Sequence, residues 1–557
     1  MSLPPGDLLA VGRRGLADGN WTAARDAFRH LLESGDVGDT DESVQARLGL
    51  ANSLWWLGEL HESVAQRERV YAQFRRRGEQ LNAALVAWQL SLDYRDGMAN
   101  VAAGQGWLER TRRLIDDHGL EPLRAWVQLL EAHYVADPAE SERLATAVLD
   151  TAGGSGDLDL ELCALSQLGL ALVDQGRVGD GIRLLDEAMA GSLGGDARPD
   201  AVVFTSCNTL QACASSADVE RAVEWLRAID RFTQRFGSPF VQADCRIHYA
   251  SLLVAIGDWD QAEEELASAL RLSAGRLPAL HGDALAMSAT LRLARGEVEE
   301  AARLVDGLDE RGGVAAVIGE IYVRQGRPET ARSVVRRALA AVGEDRLQAA
   351  AMRELLGRAL LDTGDAGSAR EHGVALAEIG AARACKVATA YGERLCGRVA
   401  ATTDRPVDAR RHFDTALATF IELGMPYEAA RTRLLLAQAL RNEAPQAAAD
   451  EARTALSVLD GLGARADADA ARGLLRALGE SAPRAVGRPG TGTLTRREED
   501  VFALLGEGLS NPEIAERLYI SRKTVEHHVA RVRSKLALRN RAEAAAEAVR
   551  RGHLPGG

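Results

Sequence analysis

Near the carboxyl end, Arg522, Lys523, Glu526, His527, Ala530, Arg531, Ser534 and Lys535 fall on one side of a helical projection, while Val525, Val529, Val532 and Leu536 fall on the other. A helix with apolar residues at spacings of four, three and four buries that stripe and presents the rest outward. What it presents is mostly cationic or hydrogen-bonding, which suits phosphate oxygens and base edges. Charge agrees with this: residues 491–557 carry twelve Lys or Arg against nine Asp or Glu, a balance of +3 in a 557-residue chain of net charge −13. The rest of the chain therefore holds −16, so a polyanion would be met by the tail and repelled by the body.

Short elements must position that face. Thr495 followed by Glu498 forms a capping box, which opens a helix with Val501, Phe502, Leu504 and Leu505 turned to a core and Gly506 and Gly508 at its end. Asn511 reads as the cap of a second helix, with Pro512 at the first helical position and Ile514, Ala515 and Leu518 inside. Leu518, Tyr519 and Ile520 then lead to Ser521, the N-cap of the third. A short helix, a tight turn and a longer helix are the parts of a helix-turn-helix. A surface bundle with ordinary solvated arginines would show the charge, but not the coincidence of caps, periodicity and sign.

From Leu494 to Glu499, from Gly508 to Leu518, from Ser521 to Val529 and at Lys535-Leu536, the chain resembles the LuxR-type helix-turn-helix of bacterial transcription regulators. The resemblance covers residues 487–552 and implies a four-helix unit whose third helix lies in the major groove. It also implies that the fourth helix, here Asn540 to Arg551, pairs two copies; Asn540 and Glu543 repeat the capping box, and Ala544, Ala545 and Ala548 are small enough for close helix approach. Alanines also simply make a good helix. Glu526, His527 and Ala530 match positions that face base edges, and Ser521, Thr524 and Lys535 match positions that touch phosphate. With Arg522, Lys523 and Arg531 on the same helix and Thr495 and Asn511 at helix starts, these make up the candidate DNA-contacting set. Glu526 and Ala530 stand where the family often has a basic residue. Glu526 can accept from cytosine N4 or pair with Arg522 or Arg531, and Ala530 can pack on a thymine methyl. His528 matches a common family histidine with a packing or backbone role.

The long body reads as all-α, because Ala, Leu, Arg and Glu dominate and alternating β-branched segments are almost missing. One phase recurs: a small residue, glycine seven later, a small residue five beyond, and an apolar or long residue four beyond that. It appears as Gly12, Gly19, Ala24, Phe28; as Gly169, Gly176, Gly181, Leu185; as Ala250, Gly257, Ala262, Leu266; as Ala289, Gly296, Ala301, Val305; as Gly319, Gly326, Ala331, Val335; and as Gly357, Gly364, Ala369. Looser copies are Ala51, Gly58, Ser63 and Gly397, Asp404, Ala409, Phe413. The pattern predicts a helical hairpin repeated end to end and resembles tetratricopeptide-like repeats, giving an α-solenoid. Residues 90–150 and 190–245 read as divergent repeats with a loop near Gly191–Gly195, and residues 405–479 as the last hairpins, with Leu434, Leu435, Leu436, Leu456 and Leu459 in their core. All eight tryptophans lie between Trp21 and Trp259. Trp55, Trp56, Trp88, Trp107 and Trp126 either fill gaps between irregular helices or line a concave ligand or partner surface.

Other chemistry finds little support. A nucleotide-binding loop needs Gly-Lys at a helix start, and the three lysines, Lys386, Lys523 and Lys535, all lack a preceding glycine. Repeats beginning near Gly12 leave no room for a phosphoacceptor domain. The six cysteines form no Cys-x-x-Cys pair and read as buried thiols, with Cys207 and Cys213 the nearest to a redox pair. No metal, no cofactor and no enzymatic activity are expected. Gly153–Gly156 reads as a flexible loop. Neither a leader nor a membrane span is evident, and a cytoplasmic location is expected.

The expected organisation is a repeat region over 1–480, a Pro- and Gly-rich flexible linker over 481–492 whose Arg484 and Arg488 can add phosphate contacts, and a helix-turn-helix domain over 493–552. The expected function is a bacterial transcription regulator that grips promoter DNA as a homodimer under control of a protein or small-molecule signal at the repeats. RNA polymerase is a candidate partner and no membrane is involved. The alternative is a protein-interaction scaffold with accessory DNA contact.

Overall fold

A computed structural model describes residues 5–33, 40–308, 312–342, 349–383, 385–480, 494, 496–518, 522–536, 538 and 540–551. Among these residues every regular element is helical and there is no β-strand. The chain divides into two compact units, residues 1–455 and 456–557. The expected linker, 481–492, lies outside the described residues. Among the described residues no His, Cys, Asp and Glu cluster is placed to hold a metal, and no helix is long and apolar enough to cross a membrane. Five of the six cysteines are buried, and burial pushes Cys213 up to about 12 and Cys396 to about 11, which leaves little thiolate at neutral pH.

The first unit is the tetratricopeptide-like row of antiparallel helix pairs that the spacing predicts. In the pair Leu158–Asp174 and Val178–Leu193, Gly176 makes the turn at φ +84°, in the left-handed region that favours glycine. A Cβ on Gly169 would lie 2.8 Å from both the Gly181 carbonyl oxygen and Leu185 Cγ, so the backbones cross where no side chain fits. Gly12 meets the Phe28 ring, Gly319 meets Val335 and Gly397 meets Phe413 in the same way. At the Ala51 copy, the Ser63 hydroxyl donates to the Ala51 carbonyl at 2.8 Å. The turn position is left-handed even where it is not glycine: Asp404 has φ +56° and Ala217, in a divergent repeat, has φ +58°.

Of the two glycine-rich stretches expected to be loops, Gly153–Gly156 is largely helical, and the loop expected near Gly191–Gly195 is present but opens only at Gly194. Helix Pro138–Ser155 runs through Gly153 and Gly154 and stops only at Gly156, φ +69°, because Ala152 is fully buried on its inner face. Helix Val178–Leu193 takes in Gly191 and Ser192; Ser192 is buried and its hydroxyl bonds back to Ala188 O at 2.7 Å.

Within this unit the row of pairs returns on itself. Trp21 donates its indole N–H to the Phe236 carbonyl, 215 residues away, and stacks on Trp56 with centroids 4.9 Å apart. Trp55 stacks on Phe240 at 5.7 Å. Farther on, Arg383 Nη1 lies 3.5 Å from Asp174 O, a separation of 209 residues, and the Trp259 and Tyr427 rings meet edge to face at 5.2 Å. A superhelix that brings its successive turns into contact accounts for these pairs. The crowding of tryptophan into the first half therefore serves a seam, while Trp107 packs edge-on against Tyr71 at 4.9 Å.

The later hairpins are joined by charge. Glu320 sits 3.0 Å from Arg324 and 2.7 Å from Arg358, Glu354 is 2.7 Å from Arg394, and Arg394 also reaches Glu428. Burial opposes ionisation of Glu320, but Arg358, Arg431 and Arg324 outweigh it and hold its carboxyl well below the usual range.

Two outcomes follow for stability. Replacing Asp404 or Ala217 by glycine relieves the left-handed strain and raises the urea midpoint by an amount worth about 0.5–1 kcal/mol, with the smaller gain at Asp404 because Asp tolerates this region. Because Glu320 is depressed in the folded state, its contribution is complete above the ordinary carboxylate range and declines as pH falls below it. Glu320→Gln removes that part of the acid limb in pH-dependent unfolding, at a neutral-pH loss of about 3–5 kcal/mol for leaving Arg358 buried without its partner.

Candidate nucleic-acid interface

The carboxyl-terminal unit contains four helices of interest: α1 (Arg496–Gly506), α2 (Asn511–Leu518), α3 (Arg522–Lys535) and α4 (Arg541–Arg550). Val501, Leu504, Leu505, Ile514, Ala515, Val525, Val529 and Ala544 form one buried cluster; Leu494, Phe502, Val532 and Ala548 form a second. The apolar stripes read from the sequence are thus the ones that meet. Gly508, at φ +82°, ends α1 with its N–H on Leu505 O and that of Leu509 on Leu504 O.

The start of α2 differs by one residue from the expectation. Ile514 N–H bonds to Ser510 O at 2.9 Å, and the Glu513 carboxylate accepts from both the Ser510 amide, at 2.7 Å, and the Ser510 hydroxyl, at 2.6 Å. Ser510 is therefore the cap, held by the Glu513 carboxylate three residues on, and Asn511 and Pro512 are the first two helical residues. Those two bonds hold the Glu513 carboxyl below its usual range. Asn511 has another engagement: its Oδ1 accepts from Arg541 Nη1 at 2.5 Å, while Arg541 Nη2 reaches the Leu509 carbonyl.

On α3, Val525 and Val532 are fully buried, so Arg522, Glu526 and Ala530, each four residues apart, are turned to solvent. Arg522 Nε lies 3.1 Å from Glu526 Oε1, which selects the Arg522 pairing for Glu526; both are largely exposed, and such a pair is worth about 0–1 kcal/mol. Breaking it for a phosphate or a base is correspondingly cheap. Arg531 and His528 are half-buried. Lys523, Thr524, His527 and Lys535 have helical backbones on α3, but their side chains lie outside the described residues, as do Thr495 and Ser521 altogether.

Two expected dimer-contact residues are placed elsewhere. Ala544 and Ala548 are fully buried in the unit's own clusters, where their smallness lets α4 approach α1 and α3. Ala545 is half-buried and Val549 is 40% exposed, so these residues occupy the outer side of α4. Two arginines that the sequence reading passed over tie the helices together: Arg541, already described, and Arg497, whose Nη2 donates to the Leu518 carbonyl at 2.6 Å. Each reaches a backbone carbonyl more than twenty residues away, and no local side-chain pattern announces it.

The family model for bacterial regulatory proteins of the luxR family matches residues 492–548. Over 61 residues the chain is 43% identical to the spore germination protein GerE of Bacillus subtilis, a match that spans 11% of this chain and 82% of GerE. This chain belongs to the LuxR family of bacterial regulatory proteins. Its LuxR-family segment is also 56% identical over 59 residues to the transcriptional regulatory protein LnrK of Bacillus subtilis, and 49% identical over 63 residues to the putative HTH-type transcriptional regulator Rv0890c of Mycobacterium tuberculosis. Each of these matches spans 11% of this chain, with 27% of LnrK and 7% of Rv0890c. Among solved structures, the Cut9-Hcn1 hetero-tetramer of the APC/C is matched over 84% of this chain and 96% of that chain, at 12% identity and a TM-score of 0.37. Yeast Tom70 is matched over 79% of this chain and 97% of that chain, at 12% identity and a TM-score of 0.30.

Within the LuxR-family unit, the Arg541 clamp predicts a separable effect. Arg541→Ala, which leaves the Leu509 carbonyl and Asn511 without their donor, lowers stability by about 1–3 kcal/mol, read as an earlier melting of the helical signal. Ala545→Leu on the outer side of α4 leaves melting unchanged, whereas Ala548→Leu overpacks the core and lowers stability by about 1–3 kcal/mol.

Proposed function

We propose that this protein is a DNA-binding transcription regulator whose α3 lies in the major groove of promoter DNA, gripped by two copies of the LuxR-family unit under control of the helical repeats. The observation that carries this reading is α3 itself: its apolar stripe is consumed by the core, and its opposite side presents Arg522, Glu526 and Ala530 with no cover from its own unit. Names of relatives over the same segment, transcriptional regulators from Bacillus and Mycobacterium, support it.

In this reading Glu526, His527 and Ala530 read base edges, while Arg522, Lys523, Thr524, Arg531, Lys535, Ser521 and Thr495 hold phosphate and set register. Asn511 acts through Arg541, by fixing where α2 begins. The outer side of α4, at Ala545 and Val549, pairs two copies, and half-sites then stand about one helical turn apart or a multiple of it. The domain division follows the sequence: repeats over 1–480, a tether over 481–492, and the DNA-binding domain over 493–552. Such a protein works in the cytoplasm beside the chromosome, with RNA polymerase as a candidate partner.

The division of charge, −16 over residues 1–490 and +3 over the tail, supports control by masking. Removing residues 1–480 then raises DNA affinity at low salt when dimeric state is matched, and unchanged or weaker binding rejects masking. Genome-wide mapping of bound DNA supplies the operator. On that operator, Lys523→Ala with His527→Ala weakens binding by at least about tenfold, and Lys535→Ala lowers the slope of log affinity against log salt by about one. Promoter binding that survives these substitutions, with activity lost instead on altering the solenoid surface, leaves the scaffold reading standing.

A further inference from the structure

The first superhelical turn of residues 1–455 encloses a cavity of about 1730 Å³ with aromatic walls and an excess of carboxylates. Trp55, Trp88 and Trp126 face it, with Phe204 and Phe240. The indole N–H groups are already engaged: Trp88 donates to Trp126 O and Trp126 to Asp157 Oδ2, both at 3.3 Å. What these residues offer an occupant is ring surface, whose electron-rich faces attract cations.

Six aspartates and three arginines line the same space, along with His133 and His248. Every arginine is committed. Arg67 pairs with Asp93, Arg198 pairs with Asp159, and Arg95 lies 3.7 Å from the centroid of the Tyr134 ring, whose hydroxyl donates to Asp96 at 2.8 Å. Two aspartates have no arginine or lysine paired with them among the described residues. Asp200 makes no hydrogen bond or ion pair with any described residue, although Arg67 and Arg198 act on it through space. Asp244 has one oxygen 3.6 Å from His248 Nε2 and accepts from the Cys207 thiol, and no arginine or lysine among the described residues pairs with it. Burial also pushes the Asp96 carboxyl above the ordinary range, a shift that a bound cation reverses.

We propose that this cavity binds a small organic cation, a molecule that carries a protonated or quaternary amine on an apolar or aromatic body. The amine meets Asp200 and Asp244, and the body lies against the tryptophans. An anion would face six aspartates with only committed arginines to receive it, and a neutral apolar molecule would leave the excess of carboxylates without a counter-charge. The volume exceeds the roughly 300–1,000 Å³ of common ligand pockets, so a drug-sized molecule shares the space with water. Because Trp55 and Phe240 belong to opposite sides of the seam, the occupant bridges them. Its role as the regulatory signal rests on the reading given under the proposed function; its binding does not.

The test is a titration of the full chain, without DNA, by pyrenebutylamine, pyrenebutyrate and pyrenebutanol, which share one aromatic body and differ in charge. Energy transfer from tryptophan to pyrene reports binding, and it locates the probe in the first half because all eight tryptophans lie there. The amine is expected to bind at least about tenfold more tightly than the carboxylate, with the alcohol between them. Asp200→Asn with Asp244→Asn brings the three within about twofold of one another. Equal or tighter binding of pyrenebutyrate overturns the proposal on the wild-type chain alone, and so does an amine preference that survives the double substitution in a folded variant. Promoter affinity with and without pyrenebutylamine is measured separately, so a failure of DNA binding leaves the cavity result intact, and the reverse.

Discussion

The close crossing of paired helices at residues without bulk is the constraint from which the first unit follows. Where Gly169 meets Gly181, or Gly12 meets Phe28, helix axes approach until backbone touches side chain or backbone. The turn between them must reverse the chain within a few residues, and a left-handed residue does so in each copy of the register, including Asp404. Each pair buries its stripe on the next, so the row is held by neighbours and its twist accumulates from pair to pair. Only that accumulated twist brings Trp21 to Phe236 and closes the turn whose interior is the aromatic cavity.

The two halves of the solenoid solve their interior packing with different chemistry. In the first, indole rings span irregular gaps and leave room between them. In the second, Glu320, Glu354 and Glu428 alternate with arginines across successive hairpins, a ladder of buried charge in which Arg394 reaches the glutamates on either side of it. Buried pairs of this kind fix register more than they add stability, since both charges must leave water. The carboxyl-terminal unit is too small to rely on its core alone, and it uses Arg497 and Arg541 to pin helix ends that α3 needs in place.

Much of this was legible in the sequence because it is local. The hairpin phase, the apolar stripes of α1 to α3 and the end of α1 at Gly508 all depend on residues within a few positions of one another. Legibility failed where distant contacts decide. Gly153–Gly156 looks like a loop by composition, yet the neighbours that bury Ala152 keep that helix running, and those that bury Ser192 hold off the loop near Gly191–Gly195 until Gly194. Ser510 and Asn511 are both good caps, and the Glu513 carboxylate, which accepts from Ser510, decides between them. Small residues on α4 did not reveal which side they faced; Ala544 and Ala548 are small because they are inside. The seam has no sequence signature, since Trp21 and Phe236 are 215 residues apart, and the tryptophans were readable either as filling or as lining. Several serve as both.

The length of that loop also bears on biosynthesis. Helix pairs closed by tight turns form in microseconds to milliseconds and need only their immediate neighbours, so they can assemble as they leave the ribosome. The contact of Trp21 with Phe236 has to wait until the latter has emerged; until then Trp21, Trp55 and Trp56 present bare aromatic surface on an unfinished coil. At bacterial elongation rates of about 5–20 residues per second, that exposure lasts on the order of ten seconds or more, long on the timescale of aggregation. Until that closure, the nascent amino-terminal helices carry aromatic surface that the finished turn covers.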